Sequence, residues 1–314
     1  MEKLIKVDSS KIVKVFGVSD SNLKLIQSEF LTTITYRDDT IFIRGESEQV
    51  KSVFNTFKEI IYILNNKNTI TLNDVKSIIM IMKLESNNDN SISNGFGSFI
   101  YNGKAGPVIP RSDGQLKCIK AIDSNDLIFI TGPAGTGKTF LSIVYAMSFF
   151  KKQKFEKIIL CRPAVEAGEN LGFLPGDLKE KVDPYLAPFY DSLGEMISIS
   201  KYKPLIADKV IEIIPLAFMR GRTLNNAFMI LDEAQNATKT QMKMFLTRLG
   251  NNSKAIITGD TTQIDLPNNV KSGLVEVIDL LKNIDGIGFA HLTSKDVVRH
   301  KLVREIIDAY EAES

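Results

Sequence analysis

From residue 112 onward, short and almost wholly apolar runs alternate with stretches of helical periodicity. The runs are "DLIFIT", "KIILCRP", "VIEIIP", "AFMILDE", "KAIITGD" and "GIGFAHL". Strands that are apolar on both faces must be covered on both faces, so this pattern predicts an α/β domain with a mainly parallel sheet between helices. The first 84 residues read differently. "IVKVFGV", a helical "SNLKLIQSEF", alternating "TITYRD" and "TIFIRGE", and a long amphipathic "SEQVKSVFNTFKEIIYIL" describe a small α+β unit. Asp38 and Asp39 lie between its two alternating runs and predict a hairpin turn.

Between these regions, "ESNNDNSISNGFGSFIYNGKAGPVIPRSDG" is rich in Asn, Ser, Gly and Pro and lacks helical periodicity. It marks a linker or exposed hairpin. The expected organisation is therefore 1–84, a linker at 85–111, and a second domain at 112–314. A chain of 314 residues is long for a single core. With 44% hydrophobic and 24% charged residues it has the composition of a folded globular protein. No apolar run approaches the roughly 20 residues of a membrane span, and the first residues lack the features of a signal peptide; the cytoplasm is the expected compartment. Cys118 and Cys161 are the two cysteines and are not closely spaced, which supports neither a disulfide framework nor a cysteine metal site. A formal net charge of +2 neither demands nor excludes a polyanionic partner.

One motif changes the picture. "GPAGTGKT" sets Gly132, Pro133, Ala134, Gly135, Thr136, Gly137, Lys138 and Thr139 in the GxxxxGK[ST] spacing, with an apolar strand before it and the helical "KTFLSIVYAMSFF" after it. Glycines let successive backbone N–H groups turn toward a phosphate, and the helix N-terminus adds its dipole. Lys138 then reaches the β and γ oxygens, and Thr139 holds Mg2+. Nucleoside triphosphate binding is the expectation.

A site of this kind needs a carboxylate at the end of a neighbouring buried strand. "FMILDEAQN" supplies Asp232 for the metal and Glu233 to polarise the attacking water, a pair that points to hydrolysis. "KAIITGDTTQIDLP" repeats the design with Gly259, Asp260 and Gln263, whose neutral amide can bond a γ-phosphate or the water. Arg222, ahead of the acidic strand, and Arg299, on a predicted C-terminal helix, are candidates for stabilising the transition state, within the chain or from a neighbouring subunit. A surface ion pair is the plainer expectation for either arginine.

Taken together, "GPAGTGKT", "CRPAVEAGENLGFLPGDLKEKVDPYLAPFYDSL", "FMRGRTLNNAFMILDEAQNAT", "ITGDTTQIDLP" and "DVVRHKLVREIIDAYE" resemble the PhoH-like ATPases over about residues 107–314. The resemblance implies a RecA-like P-loop core similar to the ATPase half of superfamily 1 helicases, ATP as substrate, Mg2+, and a role in RNA metabolism. It also implies that Gln115 recognises adenine. The family pattern there is proline, a basic residue, threonine, any residue, asparagine and glutamine; this chain reads "PRSDGQ", so Ser112 and Gly114 depart from it. Longer members carry an N-terminal module resembling a KH domain, which grips nucleic-acid backbone through a GxxG loop. Residues 10–64 follow that order, but the turn reads Gly17-Val18-Ser19-Asp20, with an acid in place of the second glycine. RNA grip and a purely structural role are both open for this module.

The expected function is a Mg2+-dependent ATPase coupled to RNA binding, remodelling or unwinding. A single RecA-like lobe leaves room for a homo-oligomer, such as a ring, that lends an arginine across its interface; an RNA-processing protein is a further expected partner. Two other classes compete: a nucleotide-dependent regulatory or scaffold protein, and a small-molecule kinase.

Overall fold

The computed structural model describes residues 1–86, 101–104, 106–163, 178–267 and 269–297. The chain divides into two compact units, Met1–Asp113 and Gly114–Ser314.

In the first unit, β1 (Glu2–Lys6) leads into α1 (Ser9–Phe16), a short turn at Val18–Asp20 and α2 (Ser21–Glu29). Then come β2 (Thr32–Arg37), β3 (Thr40–Gly45), α3 (Ser47–Lys67) and α4 (Leu72–Ser86). The strands form an antiparallel sheet in the order β1-β3-β2. Asp38 and Asp39 take φ of 47° and 57°, the left-handed pair that a two-residue hairpin turn requires. In α3, Val50, Val53, Phe57, Ile60 and Leu64 recur at helical spacing and are buried together with Ile41 and Ile43. "IVKVF" lies in α1, started by Asp8, whose side chain accepts from Ser10 N, and Gly17 caps its end. The strand β1 was not expected: "EKLIK" offers only Leu4 and Ile5 between charges, and its pairing with β3 is a long-range choice. Two further short strands, β4 (Tyr101–Gly103) and β5 (Gly106–Val108), pair antiparallel.

The second unit contains α5 (Asp113–Ser124, its first residue closing the first unit), β6 (Leu127–Thr131), α6 (Lys138–Lys151), β7 (Lys157–Arg162), α7 (Leu178–Met196) and α8 (Ile199–Ala207). It continues with β8 (Ile211–Pro215), β9 (Ala227–Leu231), α9 (Lys239–Leu246), β10 (Lys254–Gly259), α10 (Gly273–Leu281) and β11 (Ile287–His291). Six strands form one wholly parallel sheet in the order β11-β6-β10-β9-β7-β8. Every residue of β9 and β10 is buried, because helices cover both faces. Phe129, Met229 and Ile257 pack under Met242 and Phe245 of α9 and Leu274 of α10. On the other face Phe149 of α6 meets Phe228, ring centroids 5.8 Å apart. Lys254, though buried, donates to Ile122 O at 2.5 Å and to Asn125 O, closing the C-terminal end of α5. This is the parallel α/β architecture expected from the apolar runs, and the first unit is the small α+β unit expected ahead of it.

One detail differs. The acidic strand β9 is not the neighbour of β6, since β10 lies between them. Strand order is fixed by helical crossovers, and the local sequence of neither strand records it. Among the described residues, no helix is long and apolar enough to cross a membrane.

Candidate functional site

All six strands run the same way, so the residues after β6, β7, β9, β10 and β11 emerge along one edge of the sheet. Ligands of open parallel sheets bind at this carboxyl edge. The loop Gly132–Thr139 leaves β6 there and opens α6. Gly135 and Gly137 both have φ of 80°, which favours glycine. Gly132 has φ of 147°, and a Cβ there would stand 2.4 Å from Leu292 O. Lys138 folds back over its own loop, with Nζ 2.6 Å from Gly132 O and 2.9 Å from Pro133 O. Thr136 is buried and its hydroxyl donates to Pro133 O. Pro133, Ala134 and Gly135 are partly exposed along the loop.

Asp232 is 2% exposed and held from two sides. Its Oδ1 accepts from Thr139 Oγ1 at 2.7 Å and from Thr258 Oγ1 at 2.5 Å. Thr139 lies in the first turn of α6 and Thr258 sits in β10, so three elements meet on one carboxylate oxygen. This contact spans the intervening strand. Glu233 has φ of 52°, a strained backbone for a residue with a side chain. Its carboxylate accepts from Gln235 Nε2 at 2.6 Å, and Arg162 Nη2 lies 3.4 Å from Oε1.

Gln235 is 1% exposed and works in both directions. While Nε2 serves Glu233, Oε1 accepts from Asp260 N at 3.0 Å, which ties the acidic strand end to the end of β10. A glycine at 259 leaves room for this, because a Cβ there would stand 2.9 Å from Gln235 Oε1. Asp260 is also buried; Oδ1 accepts from Thr262 N and Oγ1, and Oδ2 is buried with no hydrogen-bond partner. An unmatched buried oxygen of this kind is costly. Asp260 lines a cleft of about 270 Å³ together with Gly132 and Pro133.

The remaining expected residues are placed as follows. Gln115 is buried, and its Nε2 donates to Thr136 O at 3.0 Å, which brings it to the P-loop. Gln263 is on the exposed loop after β10, where its backbone N–H turns back to Asp260 O. Arg222 is engaged by Glu212 of β8 in a two-armed pair at 3.0 and 2.7 Å; among the described residues no contact joins it to Lys138 or Asp232. Arg299 lies outside the described residues, as does all of "AVEAGENLGFLPGD". Three residues escaped the sequence reading. Arg162 ends an apolar strand as Asp232 nearly does, Thr258 is the one hydroxyl inside the apolar run of β10, and Asp296 has no local signal at all.

The two cysteines are buried thiols. Burial pushes Cys118 up to about 12, helped by the nearby Asp296 carboxylate. Burial likewise raises Cys161, at the end of β7, far above the ordinary thiol range, and Arg222 offsets this only in part. Neither thiol is poised as a nucleophile.

Residues 107–311 match the protein-family model described as PhoH-like protein. The PhoH-like protein of Bacillus subtilis (strain 168) is 46% identical over 304 residues, covering 96% of this chain and 94% of that one. The PhoH-like protein of Mycobacterium tuberculosis (strain ATCC 25618 / H37Rv) is 44% identical over 306 residues, 98% of this chain and 86% of its own. Among solved structures, the large terminase from a thermophilic bacteriophage shares 16% identity at a TM-score of 0.37, over 62% of this chain and 49% of that one, a likeness too slight to bear on function.

Proposed function

We infer that this chain, which belongs to the PhoH-like protein family, binds ATP on Gly132–Thr139, hydrolyses it with Mg2+, and couples the cycle to RNA. The carrying observation is the 2.7 Å contact between Thr139 Oγ1 and Asp232 Oδ1, which joins the P-loop helix to the acidic strand end. A hydroxyl and a carboxylate side by side are hard oxygen donors of the kind magnesium takes, and magnesium sites of this class are completed by phosphate and water. When bound, the ion offsets the charge of the β- and γ-phosphates.

The chain's own groups then divide the work. Lys138 exchanges Gly132 O and Pro133 O for phosphate oxygens. Glu233 accepts a proton from the attacking water, and its hydrogen bond from Gln235 Nε2 fixes where that carboxylate points. Gln235 also bonds the backbone of Asp260, so a change at the end of β10 reaches Glu233 directly. In this proposal Gln115 contacts adenine, Gln263 reports on the γ-phosphate, and Arg299, or Arg222 once released from Glu212, stabilises the transition state in cis or from a second copy. Arg162 joins these candidates through its approach to Glu233.

The RNA part is supported by the family resemblance and by the β-α-α-β-β-α order of the first unit. The turn at Gly17–Asp20 keeps a left-handed backbone, with φ of 60° at Asp20, where a second glycine would stand. Phosphate release by the intact chain, with and without single-stranded RNA, tests the reading. Turnover that rises several-fold with RNA and disappears in Lys138→Ala is expected. Equal rates with and without RNA would remove the RNA coupling, and full turnover in Lys138→Ala would remove the ATPase assignment.

A further inference from the structure

The segment after β11 touches the nucleotide loop from two sides. Leu292 N donates to Thr131 O at 2.7 Å, and it is Leu292 O that leaves no room for a Cβ on Gly132. Four residues later Asp296, 7% exposed, holds a carboxylate with both oxygens engaged. Oδ2 accepts from Thr293 N at 2.7 Å and Thr293 Oγ1 at 3.1 Å, and Oδ1 accepts from Gly114 N at 3.1 Å. The Gly114 amide belongs to the first turn of α5, where N–H groups lack intrahelical partners and a negative charge is favoured. Asp296 therefore caps its own turn and, across 182 positions of sequence, the start of another helix.

Gly114 is the matching half of this contact. A Cβ there would lie 2.4 Å from Asp296 Oδ1, so any larger residue displaces the carboxylate. This gives a physical reason for glycine where the family pattern has asparagine. The next residue, Gln115, donates from Nε2 to Thr136 O in the P-loop at 3.0 Å. The path from Leu292 through Asp296, Gly114 and Gln115 thus leaves the P-loop at its start and rejoins it near its end.

We propose that Asp296 is a positioning residue for base selection: by capping α5 through Gly114 it aims the Gln115 amide, and so sets a preference for adenine over guanine nucleotides. A carboxamide offers a donor and an acceptor side by side, which complements the N7 acceptor and N6 donor of adenine; guanine presents two acceptors there. That discrimination depends on the angle of the amide, which the cap fixes. The proposal rests on the ATP reading of Gly132–Thr139 and on Gln115 as its adenine contact.

The test uses the intact chain with Mg2+ and measures KM and kcat for ATP and for GTP. Asp296→Ala is expected to lower the ATP-over-GTP preference about tenfold, through KM for ATP, with kcat within about twofold of the parent. Asp296→Asn keeps an oxygen toward Gly114 and is expected to lie between, which preserves the test if the alanine variant folds poorly. Gly114→Ala is expected to reproduce the loss alone and to add nothing in the Asp296→Ala background, since the clashing carboxylate is then gone. A purely structural role would weaken both nucleotides equally. An unchanged preference in both Asp296 variants, or additive effects of Gly114→Ala and Asp296→Ala, overturns the proposal alone. A parent protein that binds neither nucleotide overturns the ATP reading and this inference with it.

Discussion

The two larger sheets of this chain bury their residues differently. In β1, β2 and β3 buried and exposed positions alternate, whereas β9 and β10 are buried at every residue. A half-exposed sheet can place polar groups anywhere along its open face. A sheet covered on both faces has no such freedom, and its polar residues are pressed to the strand ends. Asp232, Glu233, Asp260 and Arg162 stand at or just past the ends of parallel strands for this reason, and convergence follows from the topology. Among the described residues the first unit gathers no comparable cluster: Asp8, Asp20 and Asp39 lie on separate turns.

Mutations in matched residues of the two units would break this contrast if it is wrong. Asp232→Asn removes the carboxylate proposed to hold the metal and is expected to cut ATP turnover on the order of a thousandfold; Asp20→Asn is expected to leave basal turnover within about twofold, both by phosphate release. Next in size, Gln235→Leu removes two buried hydrogen bonds. Turnover is expected to fall at least about tenfold, and urea denaturation to show a loss of about 1–3 kcal/mol from the stranded partners.

Thr258→Val keeps the shape of β10 but deletes the second hydroxyl on Asp232. About tenfold more Mg2+ is expected for half-maximal turnover, since groups that orient a metal ligand commonly matter at that scale. The smallest effect concerns the thiols. Both are expected to resist alkylation at pH 8 in the folded chain and to react once it is unfolded in urea. Because the folded state holds the Cys118 proton up to about pH 12, this contribution to stability is complete below the free-thiol value and declines as pH rises above it.

Much of the architecture was legible because the second unit writes its strands as apolar runs. The P-loop was legible too, since its glycines are demanded by local backbone geometry. What could not be read was the order of the strands. The insertion of β10 between β6 and β9, and the choice of Asp260 N as the partner of Gln235, depend on that order. In the sequence, Gln263 looked like the polar group at the end of β10. In the structure, the buried amide at that strand end is Gln235, contributed from the next strand. Asp296 is the extreme case, since its partner Gly114 has no side chain to advertise the contact.

The central claim is that the strand-end acids form a hydrolytic site, and Glu233→Gln tests it most directly. This substitution keeps the size of the side chain and removes the base. ATP affinity and phosphate release measured together on the parent and this variant should give unchanged binding, with release slowed by a factor on the order of 10² to 10⁴. Phosphate release at the parental rate by Glu233→Gln, with binding intact, would contradict the account.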